Sequence, residues 1–415
     1  MKFQSFSRFI ILLSLLPLVA CTDSEEKIIQ KAASIHQEVL TLDSHTDTPL
    51  MMMRSGFDIS QQNDPADRGG KIDFPRMKQG GLDAAFFAVF LGQGPLNPEA
   101  YQTAEKRTLD IFSTLHEALE ANQDVASLAL TADDAYRLQQ EEKSAVYIGL
   151  ENGYPIGLDI TRVEKFYDLG ARYITLSHTR NNQICDSSTD PEGELHGGLS
   201  DFGRQVVAEM NRLGIMIDVS HISDKAFYQV LETSTTPVIA SHSNARAICD
   251  HNRNLDDDML LALAENDGVI QICVLGSYVK EMEPNAERDQ AFADLRARNN
   301  DFQDLSDEQM NKVREQWMEI DQTYPAPLAT VADLVDHIDH IVNLIGIDYV
   351  GIGTDFDGGG ALEDLYDVTQ MGNITLELVR RGYSKEDIEK IWAGNFMRVF
   401  RAVEQAREPL MANNK

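Results

Sequence analysis

The sequence predicts an α/β chain folded as a single TIM-like (β/α)8 barrel. Short apolar runs of buried-strand character recur eight times, and stretches of helical spacing alternate with them. Six of the runs also stop on a histidine or a carboxylate: residues 40–47 (LTLDSHTD), 145–151 (AVYIGLE), 171–178 (ARYITLSH), 215–221 (IMIDVSH), 237–242 (PVIASH) and 349–355 (YVGIGTD). In a parallel barrel all strand ends of one kind share a face, and that face carries the chemistry. An open doubly wound sheet is the competing architecture. The chain lacks the Gly-rich phosphate loop that such a sheet usually carries.

Taken in order, residues 1–20 read as a signal. Lys2 and Arg8 make a basic start, and residues 9–16 form an apolar stretch too short to span a bilayer. Leu18-Val19-Ala20-Cys21 resembles a bacterial lipobox, which implies cleavage before Cys21 and lipidation of it. An ordinary signal peptide with a chance cysteine is the plainer reading. Thr22 resembles the sorting pattern of outer-membrane lipoproteins, so a lipid-anchored location in the cell envelope, at the outer membrane, is expected. Residues 21–35 read as the lipidated cysteine and a polar tether, 36–405 as one barrel domain, and 406–415 as a tail.

Within the domain, 28–40 reads as a helix leading into strand one, 40–47. Residues 58–81 are polar and Gly-rich and read as a long loop. Strand two is 82–91, followed by a loop at 92–100 and a helix at 101–122. Strand three is 145–151. A regular alternation follows: helix 161–169, strand 171–178, helix 199–213, strand 215–221, helix 224–231, strand 237–242, helix 256–265, strand 268–275, helix 330–345 and strand 349–355. Gly170 and Gly214 sit where helix C-caps belong. The charged stretch 281–324 emerges after strand seven on the chemical face, where it is placed to act as a lid; a solvated helical excursion fits its composition equally. Residues 384–405 open with a Ser-x-x-Asp cap signal and read as a closing helix.

The net charge of −31 argues against nucleic acid and against electrostatic adhesion to anionic lipid. Three cysteines remain beside Cys21, namely Cys185, Cys249 and Cys273, so at most one disulfide can form among them.

His45-x-Asp47 places two ligand-type side chains on one face of a strand end. His221 and His242 end adjacent strands and can hold a second ion; Glu151 ends strand three, between the two pairs in barrel order, and is able to bridge. This set of N and O donors without thiolate suits two Zn2+ ions, with Mn2+ or Co2+ also compatible. Two ions about 3.5–4 Å apart can share a hydroxide and clamp a hydrolytic transition state. Each residue alone has a bland reading: a lone histidine at a strand end is usually a hydrogen-bonded core residue, and Asp355-x-Asp357-Gly358 is a common turn. The joint pattern outweighs these. His337 and His340, three apart on a helix beside Asp336 and Asp339, read as surface residues. His36, His116, His196 and His251 receive no chemistry.

The stretches LDSHTDTP, IGLENG, LGARYITLSHTRNN, GLSDFG, MIDVSH, ASHSNARAICDHNRNLDD and GIGTDFDGG, in this order, resemble those of the zinc-dependent membrane (renal) dipeptidases within the amidohydrolase superfamily. The resemblance spans residues 36–405. It implies His45 and Asp47 on one zinc, His221 and His242 on the other, and Glu151 bridging. It implies that Asp355 passes a proton to the leaving amine, that His178 stabilises the oxyanion, and that Arg253 pairs with the substrate carboxylate. The implied substrates are dipeptides, including those with a D-residue at the carboxyl end, and the family likeness suggests a homodimer. Another amidohydrolase activity, on N-acyl amino acids or a lactam, and a non-catalytic metal-binding lipoprotein are the alternatives. The motif departs from many relatives in reading Thr rather than Asn between His45 and Asp47.

Overall fold

The computed structural model describes residues 17–64, 70–282, 284–299, 305, 307–325 and 328–412. Residues 1–16 of the expected signal and the side chain of Cys21 lie outside the described part.

The first helix, α1 (Pro17–Glu38), begins earlier than expected. It runs through the stretch read as a polar tether, because Ala32 and Ile35 give it an apolar stripe that is buried in the core. Strand β1 (Leu42–Thr46) follows, then the single turn α2 (Thr48–Met52). The loop expected over 58–81 contains a helix, α3 (Phe74–Gly80). Its signals are local: Asp73 caps the Arg76 N–H, a proline lies in the first turn, and Gly81 takes the left-handed conformation at the end. Strand β2 (Ala84–Phe90) leads to α4 (Pro98–Ala121). A short strand, β3 (Ala126–Leu128), and α5 (Ala132–Gln140) were not expected.

The alternation then proceeds as read: β4 (Ser144–Glu151), α6 (Thr161–Asp168), β5 (Ala171–Thr175), α7 (Asp201–Leu213), β6 (Met216–Asp218), α8 (Asp224–Thr233), β7 (Ile239–Ala240), α9 (Asp257–Glu265) and β8 (Val269–Ile272). The excursion after β8 comprises the short α10 (Gly276–Val279), α11 (Ala286–Arg298) and α12 (Asp307–Thr323). The last two pair through Phe292 and Trp317, whose ring centroids lie 4.7 Å apart. Helix α13 (Val331–Ile345) carries a Thr330/Asp333 capping box and feeds β9 (Val350–Ile352). Helices α14 (Gly372–Arg380), α15 (Lys385–Glu389) and α16 (Asn395–Ala412) close the chain. Ser384 caps α15 with Asp387 as read, and a π-helical turn over Lys390–Gly394 joins α15 to α16.

Among the described residues nine strands pair in parallel, eight of them in the order β1-β2-β4-β5-β6-β7-β8-β9, with β3 off this path. β3 pairs with the first residues of β4, below the point where β5 joins it. The barrel closes at its upper rim: Asp47 N donates to Phe356 O (2.8 Å) and Asp355 N donates to His45 O (3.0 Å). Side chains alternate in and out along each strand. On β4, Val146, Ile148 and Leu150 pack outward against the helices, and Ala145 and Tyr147 point into the barrel, which sends Glu151 inward at the top. Cys185, Cys249 and Cys273 are buried free thiols, so no disulfide forms among them.

Two histidines correct the surface reading. His337 is fully buried on α13, and His340 is partly buried and hydrogen-bonded to Asp257 (2.7 Å).

Candidate metal centre

Most of the site residues stand just beyond strands that are shorter than the apolar runs suggested. β6, for instance, ends at Asp218, three residues before His221. The intervening turns are bent rather than extended. His221 (φ 72°), Asp355 (φ 60°) and Asp357 (φ 67°) adopt the left-handed conformation that non-glycine residues avoid. The cluster is assembled around Glu151. One carboxylate oxygen lies 3.2 Å from His221 Nε2 and 3.6 Å from both His242 Nε2 and His178 Nε2. The other faces His45 Nε2 at 3.5 Å. His221 Nε2 and His242 Nε2 face each other at 2.8 Å. His45, Asp47 and Asp355 converge in the same way. All seven residues named from the strand ends are therefore in one place. His178 and Asp355 stand as close to the cluster as the five expected ligands do.

The electrostatics suit a cation. Burial, reinforced for His221 by Arg253 and for His242 by His45, holds both imidazoles well below their usual range. Burial also lowers His178 to about 4. These three rings are neutral near pH 7, the form that binds metal. Burial opposes charge on His45 too, but the Glu151, Asp47 and Asp355 carboxylates overrule it and raise that imidazole to about 10. Burial lifts Asp355 to about 7, with the Glu151 charge adding to the rise. His45 Nε2, Asp47 Oδ1, Glu151 Oε2 and His221 Nδ1 are buried without a hydrogen-bond partner. Orphaned His45, Asp47 and Glu151 atoms beside the neutral His221 and His242 rings fit divalent ions with N and O ligands.

The ligand-type side chains are themselves held from behind. His45 Nδ1 and Tyr173 Oη share a 2.7 Å hydrogen bond, and His242 Nδ1 and Ser241 Oγ share one of 2.8 Å. Ser241 Oγ also contacts Asp218, which accepts from Thr175 Oγ1 (2.5 Å). Asp43 accepts from Thr354 N and Oγ1 (2.8 and 2.6 Å), tying β1 to β9. Tyr173 fits because position 149 is glycine: a Cβ there would lie 2.1 Å from the Tyr173 ring. Gly358 is required in the same way, since a Cβ would fall 2.1 Å from both Asp47 and Asp355 oxygens. Sequence reasoning did not find these supports. Their one signal was that Ser precedes each strand-end histidine, at Ser44, Ser177, Ser220 and Ser241.

One wall of the site is Arg253, which is almost fully buried. Its guanidinium donates to Ser243 Oγ (3.3 Å) and His242 O (3.0 Å) and faces the Tyr278 ring at 5.4 Å. Its Nε has no hydrogen-bond partner, and among the described residues no carboxylate pairs with it.

Comparison with known proteins agrees with this geometry. The family model described as membrane dipeptidase (peptidase family M19) matches residues 29–414. Dipeptidase tcpJ of Claviceps purpurea is 32% identical over 402 residues, covering 95% of this chain and 83% of that protein. Dipeptidase 3 of Rattus norvegicus is 29% identical, covering 93% and 69%. The crystal structure of the probable dipeptidase PvdM from Pseudomonas aeruginosa superposes with a TM-score of 0.79 at 30% identity, covering 92% of this chain and 99% of that one. The chain belongs to the membrane dipeptidase family, peptidase family M19.

Proposed function

We propose that the chain is a dizinc dipeptidase that hydrolyses the peptide bond of dipeptides, including those with a D-residue at the carboxyl end. The observation that carries this reading is a buried guanidinium with no acid partner among the described residues, on the wall of a Glu151-centred cluster of imidazoles and carboxylates. His45 and Asp47 would hold one ion and His221 and His242 the other, with Glu151 offering an oxygen to each. Bound there, the ions supply Lewis acidity and make water acidic enough to react near neutral pH.

The chain's own residues do the rest. Arg253 receives the substrate carboxylate, and its planar fork matches that group. A fixed cation at one wall selects substrates whose carboxylate lies one residue beyond the scissile bond. His178, at the mouth of the site and in contact with the Phe90 ring (4.6 Å), donates toward the scissile carbonyl oxygen. Asp355, which converges with His45 and Asp47 at the cluster, is placed to hold a proton and deliver it to the leaving amine.

The test is hydrolysis of L,L- and L,D-dipeptides and one tripeptide by the purified chain, with and without a chelator. Chelator-sensitive cleavage of both dipeptides and not of the tripeptide is the expected result. A chain loaded with two ions that leaves dipeptides intact overturns the reading in favour of another amidohydrolase activity. The same proposal anchors the chain to the cell envelope through lipid on Cys21, on the strength of residues 18–21; among the described residues no helix is long and apolar enough to cross a membrane. Fatty-acid labelling should be lost in Cys21→Ser. Labelling that persists in that variant removes the anchor.

A further inference from the structure

Arg253 raises a question of placement. A guanidinium buried beside an acid is held by that acid, but this one is held by neutral oxygens alone, so its position depends on the loop that carries it. That loop, between β7 and α9, folds back on itself: Leu255 N donates to Asn244 O and Arg246 N donates to Leu255 O, both at 2.8–2.9 Å. Ala245 therefore lies directly opposite Leu255, two residues past Arg253. The second element in contact with the guanidinium is Tyr278, on α10, and Asn254 Nδ2 donates to Tyr278 O (2.9 Å).

One side chain outside the site grips both elements. His337 projects from α13 with no exposed surface. Its Nδ1 accepts from Ala245 N (3.1 Å) and its Nε2 donates to Val279 O (2.7 Å), the residue next to Tyr278. These two bonds fix a single neutral tautomer, because one ring nitrogen must accept while the other donates. Burial lowers its pKa and keeps that form. The imidazole thus spans the loop that bears Arg253 and the helix whose ring the guanidinium faces, from behind, without touching either the cluster or the place where substrate would lie.

We infer that His337 is a positioning residue for recognition of the substrate carboxylate, setting the Arg253 guanidinium through Ala245 and Val279. This deepens the dipeptidase reading and rests on it. A merely structural histidine would change stability when replaced; a positioning one changes the preference for a free carboxylate. The experiment compares kcat/KM for a dipeptide and for the same dipeptide amidated at its C-terminus, in the metal-loaded full chain, His337→Leu and His337→Asn. The wild type should prefer the acid strongly. In His337→Leu the acid should lose about tenfold or more, chiefly through KM, while the amide changes little, so the preference collapses. His337→Asn keeps an acceptor toward Ala245 N and loses the reach to Val279 O, so an intermediate preference, down by about threefold, is expected. Asn keeps the inference testable if the leucine variant does not fold. A folded variant of either kind with the wild-type preference overturns the role of His337. A wild type that cleaves the amide as readily as the acid overturns the carboxylate reading of Arg253 itself, and the two failures are told apart by which protein shows them.

Discussion

The two ends of the barrel interior are built from the same strands and have opposite character. At the lower end Leu42, Ala84, Phe86, Tyr147, Met216, Ile239 and Val269 point inward and meet Phe396 and Phe400 of α16. Phe86 lies 4.7 Å from the Tyr147 ring and 5.1 Å from Phe396, and the Tyr147 hydroxyl donates to Thr131 O. This end is apolar, close-packed and satisfied. At the upper end the same strands present carboxylates, imidazoles and hydroxyls, and His45 Nε2, Asp47 Oδ1, Glu151 Oε2, His221 Nδ1 and Ser177 Oγ are among the atoms left unpartnered. Among the described residues six non-glycines have positive φ, and four of them, Asn152, His221, Asp355 and Asp357, stand at this upper rim. Backbone strain of about 1–3 kcal/mol at such a position persists only where the surroundings over-determine it. The difference teaches that the lower plug supplies the rigidity on which a strained, under-satisfied upper rim can be built.

The comparison can be broken from either end. The largest effect is expected at the top: Glu151→Gln keeps the shape of the side chain and removes the charge that faces all four imidazoles. Activity should fall by about three orders of magnitude, together with bound metal measured by elemental analysis. Full activity with full metal content in that variant would remove Glu151 from the centre of the site. The opposite signature belongs to the bottom. Phe396→Ala opens a cavity beneath Phe86 and should cost about 3–5 kcal/mol in denaturant unfolding. Its kcat/KM per folded, metal-loaded molecule should stay near wild type. A large loss of turnover in the folded variant would mean that the two ends are not separable.

The upper rim was legible in the sequence for a physical reason. An apolar run that stops on a ligand-type residue is rare, and parallel strands must bring such stops to one face, so His45, Asp47, Glu151, His178, His221, His242 and Asp355 could be placed together before any coordinates. What lies behind them was not legible. Tyr173 and Asp218 sit inside runs that read simply as strand, and only the register of neighbouring strands brings them to His45 and Ser241. His337 was misread because Asp336 and Asp339 beside it suggested a wet face. The helical spacing was the better guide, since Leu334 and Ile341, three before and four after, share its buried side. The helix Phe74–Gly80 was lost in a polar stretch because its evidence is capping chemistry rather than periodicity. Strand β3, three residues long, carries no period to detect.

The smallest of the expected effects tests the seam between the two ends. Tyr173 belongs to both: its ring stacks against Phe86 at 5.2 Å, in the lower plug, and its hydroxyl meets His45 Nδ1 at 2.7 Å, in the upper rim. Burial holds the phenol well above its usual pKa, so it stays a neutral hydroxyl partner. Tyr173→Phe keeps the ring and removes only that oxygen. Packing below should survive, because no volume of apolar side chain is lost. Above, His45 loses the contact that fixes its ring, and removing such a partner typically weakens metal affinity by about 10–100-fold. The variant should therefore show a near-normal unfolding midpoint under chelation, a smaller rise in that midpoint when zinc is added at a fixed low concentration, and activity that recovers as zinc is raised. A variant whose midpoint rises with added metal as much as the wild type's would show that the rim orients His45 without help from the interior. One that unfolds much more easily under chelation would show that the hydroxyl contributes to the plug, and that the boundary between the two ends lies above Tyr173.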